Sequence, residues 1–309
     1  MADISRSEAL ALINQQNMAE IFQQVAEQSA AMRTFRTVRM SAKQARMPVI
    51  DALPTAGFVN GDTGTKATAQ QVWASKTLEA EEIAVIVPIP ENVFDDTAFN
   101  VWAEVRPRIA EAVGAVIDAA VFFGTNSPAS WADSLVEGAI AAGNTYTRGT
   151  STVDLAEDLN QTIALVEADG FDPNIVYAAR YLRSSLRGLR DDNGQPIYSS
   201  NLRRDGGTDA IYGIDLDWVT NGAWDATDAD AIVGDRSKAI LGIRQDITFK
   251  ILDQATLTDG AGNIVFSLAE QDMIALRAKF RAGFQVADPT TIEGGSGAYP
   301  FAVLRPVGS

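Results

Sequence analysis

Residues 99–124 read FNVWAEVRPRIAEAVGAVIDAAVFFG. Trp102, Val105, Ile109, Val113, Val116, Ile117, Ala120 and Phe123 make one apolar stripe at helical spacing, with Glu104, Arg108, Glu111 and Asp118 largely off it. Pro107 favours a bend inside the helix, and Gly124 is placed to end it. At 1.5 Å per residue the helix is roughly 35 Å long, which reads as a structural spine. Trp102, Ile109 and Ile117 are its candidate core positions.

Upstream, Asp95, Asp96 and Thr97 stand where a helix N-terminus takes carboxylates and cap oxygens. Before them residues 76–90 alternate, with Ile83, Val85, Val87 and Ile89 on one side and Glu82, Ala84, Ile86 and Pro88 on the other. That is a strand, and Pro88 and Pro90 favour a sheet edge. Residues 48–80 are rich in Gly, Thr, Ala and Pro around the turn signal Asn60-Gly61. They read as a two-stranded excursion with a polar tip and too little apolar content for its own core, so the expectation is that something outside its own domain holds it. Residues 5–33 carry Leu10, Ile13, Ile21, Val25 and Met32 at helical spacing among Gln, Asn and Glu, as an arm on a partner or as part of a core.

Downstream the texture changes. Residues 125–150 are rich in Ala, Gly, Ser and Asn and mark the start of a second domain. Ser151 and Asp154 have capping-box spacing before a helix running to Gly170. Strands are expected at 174–177, 211–216, 231–233 and 239–241, with a helix over 178–189. From 245 the chain returns to the first domain, with a hairpin around Asp259–Asn263 and a long strand placing Ile274, Leu276, Ala278, Phe280, Ala282 and Phe284 on one face. Gly294–Gly297 read as a flexible tail. No internal repeat is present.

Length and composition agree with two domains: 309 residues, 46% hydrophobic and 21% charged. There is no Cys and no His. Disulfides, thiolate nucleophiles, Ser-His-Asp triads and imidazole- or thiolate-based metal and haem sites are thereby excluded. With 25 basic and 40 acidic residues the net charge is −15, which disfavours non-specific adhesion to nucleic acid or an anionic membrane. No window is apolar enough to span a bilayer, and the N-terminus does not read as a signal peptide.

Few constellations carry chemistry. The pairs Glu81-Glu82, Asp95-Asp96, Asp191-Asp192 and Asp228/Asp230 offer acid–base or Mg²⁺ chemistry in principle, but 40 acidic residues produce such pairs by chance. The glycines around Lys66 lack the contiguous Gly-Lys-Ser/Thr of a nucleotide loop. Arg180, Arg183, Arg187 and Arg190 are spaced to share one helix face, with Arg203 and Arg204 beyond. Three readings stay open for them: a solvated face with intrahelical ion pairs, a contact with an acidic neighbouring subunit, and, third, nucleic acid without interleaved aromatic residues.

Several segments together resemble a known family. They are Lys76–Ile89; Glu91–Asp96 leading into the long helix; Phe171–Tyr177 with the arginine-bearing segment and Asp191–Tyr198; Ile211–Leu216; Ala231–Arg236 with Ile243-Arg244; and Gln271–Phe284. Their order and spacing are similar to the major capsid proteins of tailed bacteriophages, the Hong Kong 97-like group. The resemblance implies an α+β fold with an N-terminal arm at 1–47 and an extended loop at 48–80. It implies a peripheral domain at 81–124 and 241–290 containing the spine helix, an axial domain at 125–240 and a tail at 291–309.

The same resemblance implies a structural protein without catalytic, cofactor or metal site. It would self-assemble through hexamers and pentamers into the icosahedral shell around the double-stranded DNA of a tailed phage. Its place would be the virion, with the host cytoplasm during assembly. The DNA would be enclosed without sequence-specific binding, and no membrane is involved. A portal protein is an implied partner and a decoration protein a further one. Because the arm starts at once, scaffolding would come from a separate protein or from a segment that is cleaved off. Some members cross-link their shells through a loop Lys, an Asn and a Glu. Lys66 matches that Lys by position, with no matching Asn or Glu identified. The arginine row and Lys66 are the candidate inter-subunit contacts. The alternatives are a cellular nanocompartment shell of the same fold and a carboxylate-based hydrolase.

Overall fold

The computed structural model describes residues 29–54, 68–69, 71–91, 101–150, 154–190, 193, 210–259 and 261–307, with side chains in the long helix from residue 105 onward. Residues 5–28 of the helix read over 5–33, the Asn60-Gly61 turn, the Asp95–Thr97 cap and Ser151 lie outside the described residues. In chain order the chain forms α1 (Ala30–Thr34), β1 (Arg36–Arg39), β2 (Gln44–Ala52), β3 (Val72–Glu79), β4 (Glu81–Pro90) and the spine α2 (Val101–Phe123). Then come α3 (Leu135–Ala142), β5 (Thr145–Thr147), α4 (Leu155–Ala168), β6 (Ile175–Ala179), α5 (Leu182–Gly188), β7 (Ala210–Ile211), β8 (Ile214–Val219) and β9 (Ala231–Gly234). The last elements are β10 (Ala239–Leu252), β11 (Thr256–Thr258), β12 (Ile264–Ser267), β13 (Met273–Val286) and β14 (Phe301–Arg305).

One sheet has the order β1-β10-β13-β4. Its centre is β13, whose alternation buries Leu276, Ala278, Phe280, Ala282 and Phe284 on the core side. Pro88 and Pro90 sit in the edge strand β4, where a missing N–H breaks no outer ladder. The strand expected at 239–241 runs on to Leu252 as one strand of 14 residues, with irregular pairing between Ile243 and Thr248.

The second sheet has the order β5-β14-β9-β6-β8-β7. Here the reading of 291–309 as a tail is overturned. Residues 301–305 form β14, parallel to β5 and antiparallel to β9, and Phe301–Leu304 are wholly buried. A run buried on both faces shows no alternation, and it stands between Pro300 and Pro306, so the strand is masked in the sequence. The Gly294–Gly297 stretch is likewise tied: Thr291 and Gly295 exchange backbone hydrogen bonds, and Thr291 Oγ1 donates to the Asp169 carbonyl at 2.6 Å.

One apolar core joins the spine to both sheets. Ile109, Val113, Ile117, Val121 and Phe122 point into it. Val116, read as part of the stripe, is 48% exposed, while Asp118, read as lying off it, is fully buried. Asp118 Oδ1 accepts from Ser29 Oγ (2.7 Å) and Ala31 N (3.0 Å), and Oδ2 from Ala30 N (2.9 Å) and Asn221 Nδ2 (2.6 Å). Burial pushes this carboxyl above its usual range while the four donors pull the other way. The carboxylate thus caps α1 from another helix. Gly124 ends the spine with φ +72. Asp154 is itself the N-cap of α4, accepting from Ala156 N, rather than the third residue of a capping box.

The described part of the β2–β3 hairpin is held by distant segments of its own chain that lie outside residues 48–80. Met40, Leu78, Ala80 and Ile240 pack at its root with Ala45, Met47 and Ala287 against them. Lys76 pairs with Asp288, and Thr290 donates through N to Ile50 O and through Oγ1 to Asp51 O. The strand beneath runs close enough that a Cβ on Gly283 would meet the Glu79 carbonyl oxygen at 2.5 Å, which is why the polar face of β13 is interrupted there.

Replacing Ile117 or Ile109 by Ala is expected to cost about 2–5 kcal/mol in chemical denaturation. Val116→Ala should stay within about 0.5 kcal/mol, so the three midpoints together check which face of the spine is buried. Asp118→Ala leaves four donors without their acceptor and is expected to cost at least about 3 kcal/mol, with the largest loss of amide-exchange protection in α1.

Candidate assembly surfaces

The arginine segment differs from the single helical face read in the sequence. Ala178 and Ala179 belong to β6, because the strand Ile175–Ala179 is buried along its whole length between β8 and β9. Only seven residues remain for α5. Arg183 and Arg187 lie on that helix, Arg180 precedes it and Arg190 follows it. Arg187 Nε donates to Arg183 O at 3.3 Å, and Arg190 Nη1 donates to Arg187 O at 2.9 Å and Leu189 O at 3.0 Å. Arg190 therefore satisfies carbonyls at the helix C-terminus, where positive charge is favoured, and Arg187 folds back on the turn before it. The Arg183 guanidinium lies over the Trp218 ring, 4.8 Å from its centroid, an aromatic partner that adjacency in sequence does not reveal. Arg180 is exposed beyond the end of β6.

Lys66 lies outside the described residues, as does the Trp102 side chain. Ile109 and Ile117 meet in the core, far in role from any contact surface. The acidic pairs do not converge on one another. Glu81 accepts from Ser130 Oγ and pairs with Lys43, Glu82 pairs with Lys279, and buried Asp230 accepts from Tyr181 Oη (2.5 Å) and pairs with Arg148 (3.3 Å). Asp95, Asp96, Asp191 and Asp192 lie outside the described residues. Among the described residues no group of three or more His, Cys, Asp or Glu side chains is arranged to hold a metal ion, and no helix is long and apolar enough to cross a membrane.

Among the apolar side chains that lie open, two groups stand beside strand edges. Val72 and Trp73 on the hairpin are 44% and 61% exposed. Ile86, Pro88, Leu257, Val265 and Phe266 line a cleft of about 400 Å³ between edge strand β4 and the β11–β12 hairpin. A third feature escaped the sequence reading: Tyr212, an exposed aromatic residue with φ +53 in the turn between β7 and β8. Its signal was the two-residue spacing of Ile211-Tyr212-Gly213-Ile214.

The arrangement of a spine helix, two sheets and a long anchored hairpin has close counterparts. The sequence matches the phage capsid family over residues 10–296. The chain belongs to that family. It is 28% identical over 272 residues to the major capsid protein of Staphylococcus phage 80alpha, covering 87% of this chain and 79% of that one. A solved structure from Microbacterium phage Oxtober96 is 47% identical, with a TM-score of 0.80 over 99% of this chain and 100% of that chain. Another, from Mycobacterium phage Cain, is 34% identical, with a TM-score of 0.80 over the whole of both chains. The fold is the Hong Kong 97-like capsid fold, and the role of this phage capsid chain is to form a shell. The nanocompartment and hydrolase alternatives are not favoured.

The exposed pair on the hairpin gives a direct expectation. Trp73→Ala should leave the denaturation midpoint of the single chain within about 0.5 kcal/mol of wild type, because the ring packs on little of its own chain. The same substitution should raise the protein concentration needed for assembly, read by light scattering.

Proposed function

We propose that this chain is the major capsid subunit of a tailed phage, closing an icosahedral shell around double-stranded DNA through hexamers and pentamers. The β2–β3 hairpin carries the reading: it is braced by Lys76–Asp288 and the Thr290 hydrogen bonds, yet it leaves Val72 and Trp73 uncovered by its own chain. A braced projection with an exposed Trp is built to be covered by a neighbour. In this reading 48–80 is the extended loop and residues before it the arm. The four-stranded sheet with the spine is the peripheral domain. The six-stranded sheet is the axial domain, now including β14 from the far end of the chain. A separate scaffolding protein, a portal protein and a decoration protein are the proposed partners, and the host cytoplasm is the proposed place of assembly.

The work of such a subunit is mechanical. Each contact is weak, and many identical contacts in a closed symmetric shell compound. Net charge −15 keeps the shell from adhering to the DNA it encloses, and it also makes copies repel, so local basic groups must meet acidic ones where subunits touch. The arginine segment is the proposed basic element, and Lys66 a proposed contact near the loop tip.

Purified chain observed by light scattering and negative-stain microscopy should give rings or closed particles; single chains at every concentration would refute the reading. Arg183→Glu combined with Arg187→Glu should leave a folded chain that assembles poorly. Raising salt should weaken wild-type assembly where contacts lie within the screening length of about 8 Å. Normal particles from a folded double variant would return these two arginines to a purely helix-capping and ring-stacking role.

A further inference from the structure

Tyr212 and Gly213 connect β7 to β8 with φ +53 and +83. Two positive φ values in a two-residue hairpin turn suit Asn-Gly or Asp-Gly, and a bulky aromatic residue there is strained. The ring is nevertheless held outward, 61% exposed, with its hydroxyl donating to the Ala156 carbonyl at 3.1 Å. That bond sets it at the start of α4, beside Asp154 and Glu157. Burial first, and then these two carboxylates, push the phenol above its ordinary pKa. An aromatic face bordered by two carboxylates is the surface chemistry that receives a guanidinium.

The chain carries a guanidinium suited to it at the other end of the same strands. β6 and β8 are parallel and paired from Ile175↔Asp215 to Ala179↔Val219. Arg180 leaves the C-terminal end of β6, and Tyr212 stands just before the N-terminal end of β8. At about 3.3 Å per residue they are separated by roughly 25 Å along the strands, too far for the pair to meet within one chain. Among the described residues no carboxylate pairs with Arg180, whereas Arg148, which shares Asp230 with the adjacent Tyr181, is already engaged.

We propose that a second copy of this chain docks its Arg180 against Tyr212, Asp154 and Glu157, in a head-to-tail contact repeated from copy to copy. This rests on the reading of the chain as a self-assembling subunit. Opposite charge at opposite ends of one sheet makes the contact heterologous, the kind that closes a ring or extends as an open chain. It also accounts for an aromatic residue at a turn position where Asn would fold more easily: the strain holds the ring out for the partner.

A charge exchange in the full chain tests the contact, with folding checked by circular dichroism. Glu157→Arg alone and Arg180→Glu alone should each raise the concentration at half-assembly about tenfold, and the two together should restore it to near wild type. Tyr212→Asn should raise the melting temperature of the unassembled chain while weakening assembly. Single variants that assemble normally would overturn the proposal. So would a double variant that is not restored, or a stabilised Tyr212→Asn chain that assembles like wild type. If the exchange fails while Trp73→Ala and the Arg183/Arg187 double reversal still impair assembly, the subunit reading stands and this contact alone falls.

Discussion

Phe35 is the point on which the two halves of the fold depend. Its ring lies 5.8 Å from Phe122 of the spine and 5.9 Å from Tyr177 at the centre of the six-stranded sheet, both edge-on. It stacks 6.2 Å from Phe284 at the centre of the four-stranded sheet. One side chain thus joins the helix to both sheets. It is delivered there by α1, whose N-terminus Asp118 holds and whose last residue, Thr34, hydrogen-bonds the Tyr177 hydroxyl at 2.6 Å. Buried aromatic contacts of this kind carry energy beyond the area they bury, and here they also set the orientation of the sheets.

What the sequence revealed follows from periodicity. The spine, β4, β13 and the Asp259–Asn263 hairpin turn each carry a regular pattern or a strong turn signal, and each forms. What it concealed depends on tertiary context. The buried run Phe301–Leu304 has no alternation to announce a strand. Ala178-Ala179 looked helical and was drawn into β6 by partners on both sides. Asp118, a charged residue off the apolar stripe, is buried because a distant backbone needed an acceptor. Of the candidate contacts, the arginines were visible as a row, but their partners, a ring and three carbonyls, were not. Arg183 finds Trp218 across 35 residues of chain.

The acidic balance of the chain acquires a structural meaning from these partners. Surface ion pairs such as Lys43–Glu79 (2.9 Å) and Lys279–Glu82 (2.7 Å) tie neighbouring strands together and contribute little each in water. Much of the remaining negative charge is left unbalanced at the surface. The proposed contacts fall where a cation or an apolar side chain stands open against that acidic background: Trp73, and the two ends of β6 and β8.

The position of β14 bears on how the chain comes into being. It lies between β5 and β9, so β5 has no other neighbour in the sheet and β9 lacks one of its two until residues 301–305 exist. A ribosome making this protein therefore emits the spine, the hairpin and most of the six-stranded sheet before that sheet can close. The pairings of β1 with β10 and β4 with β13 span comparable stretches of chain, a topology that folds slowly. Nascent chains therefore carry an unfinished six-stranded sheet, with β5 unpaired and one edge of β9 open, until residues 301–305 are made.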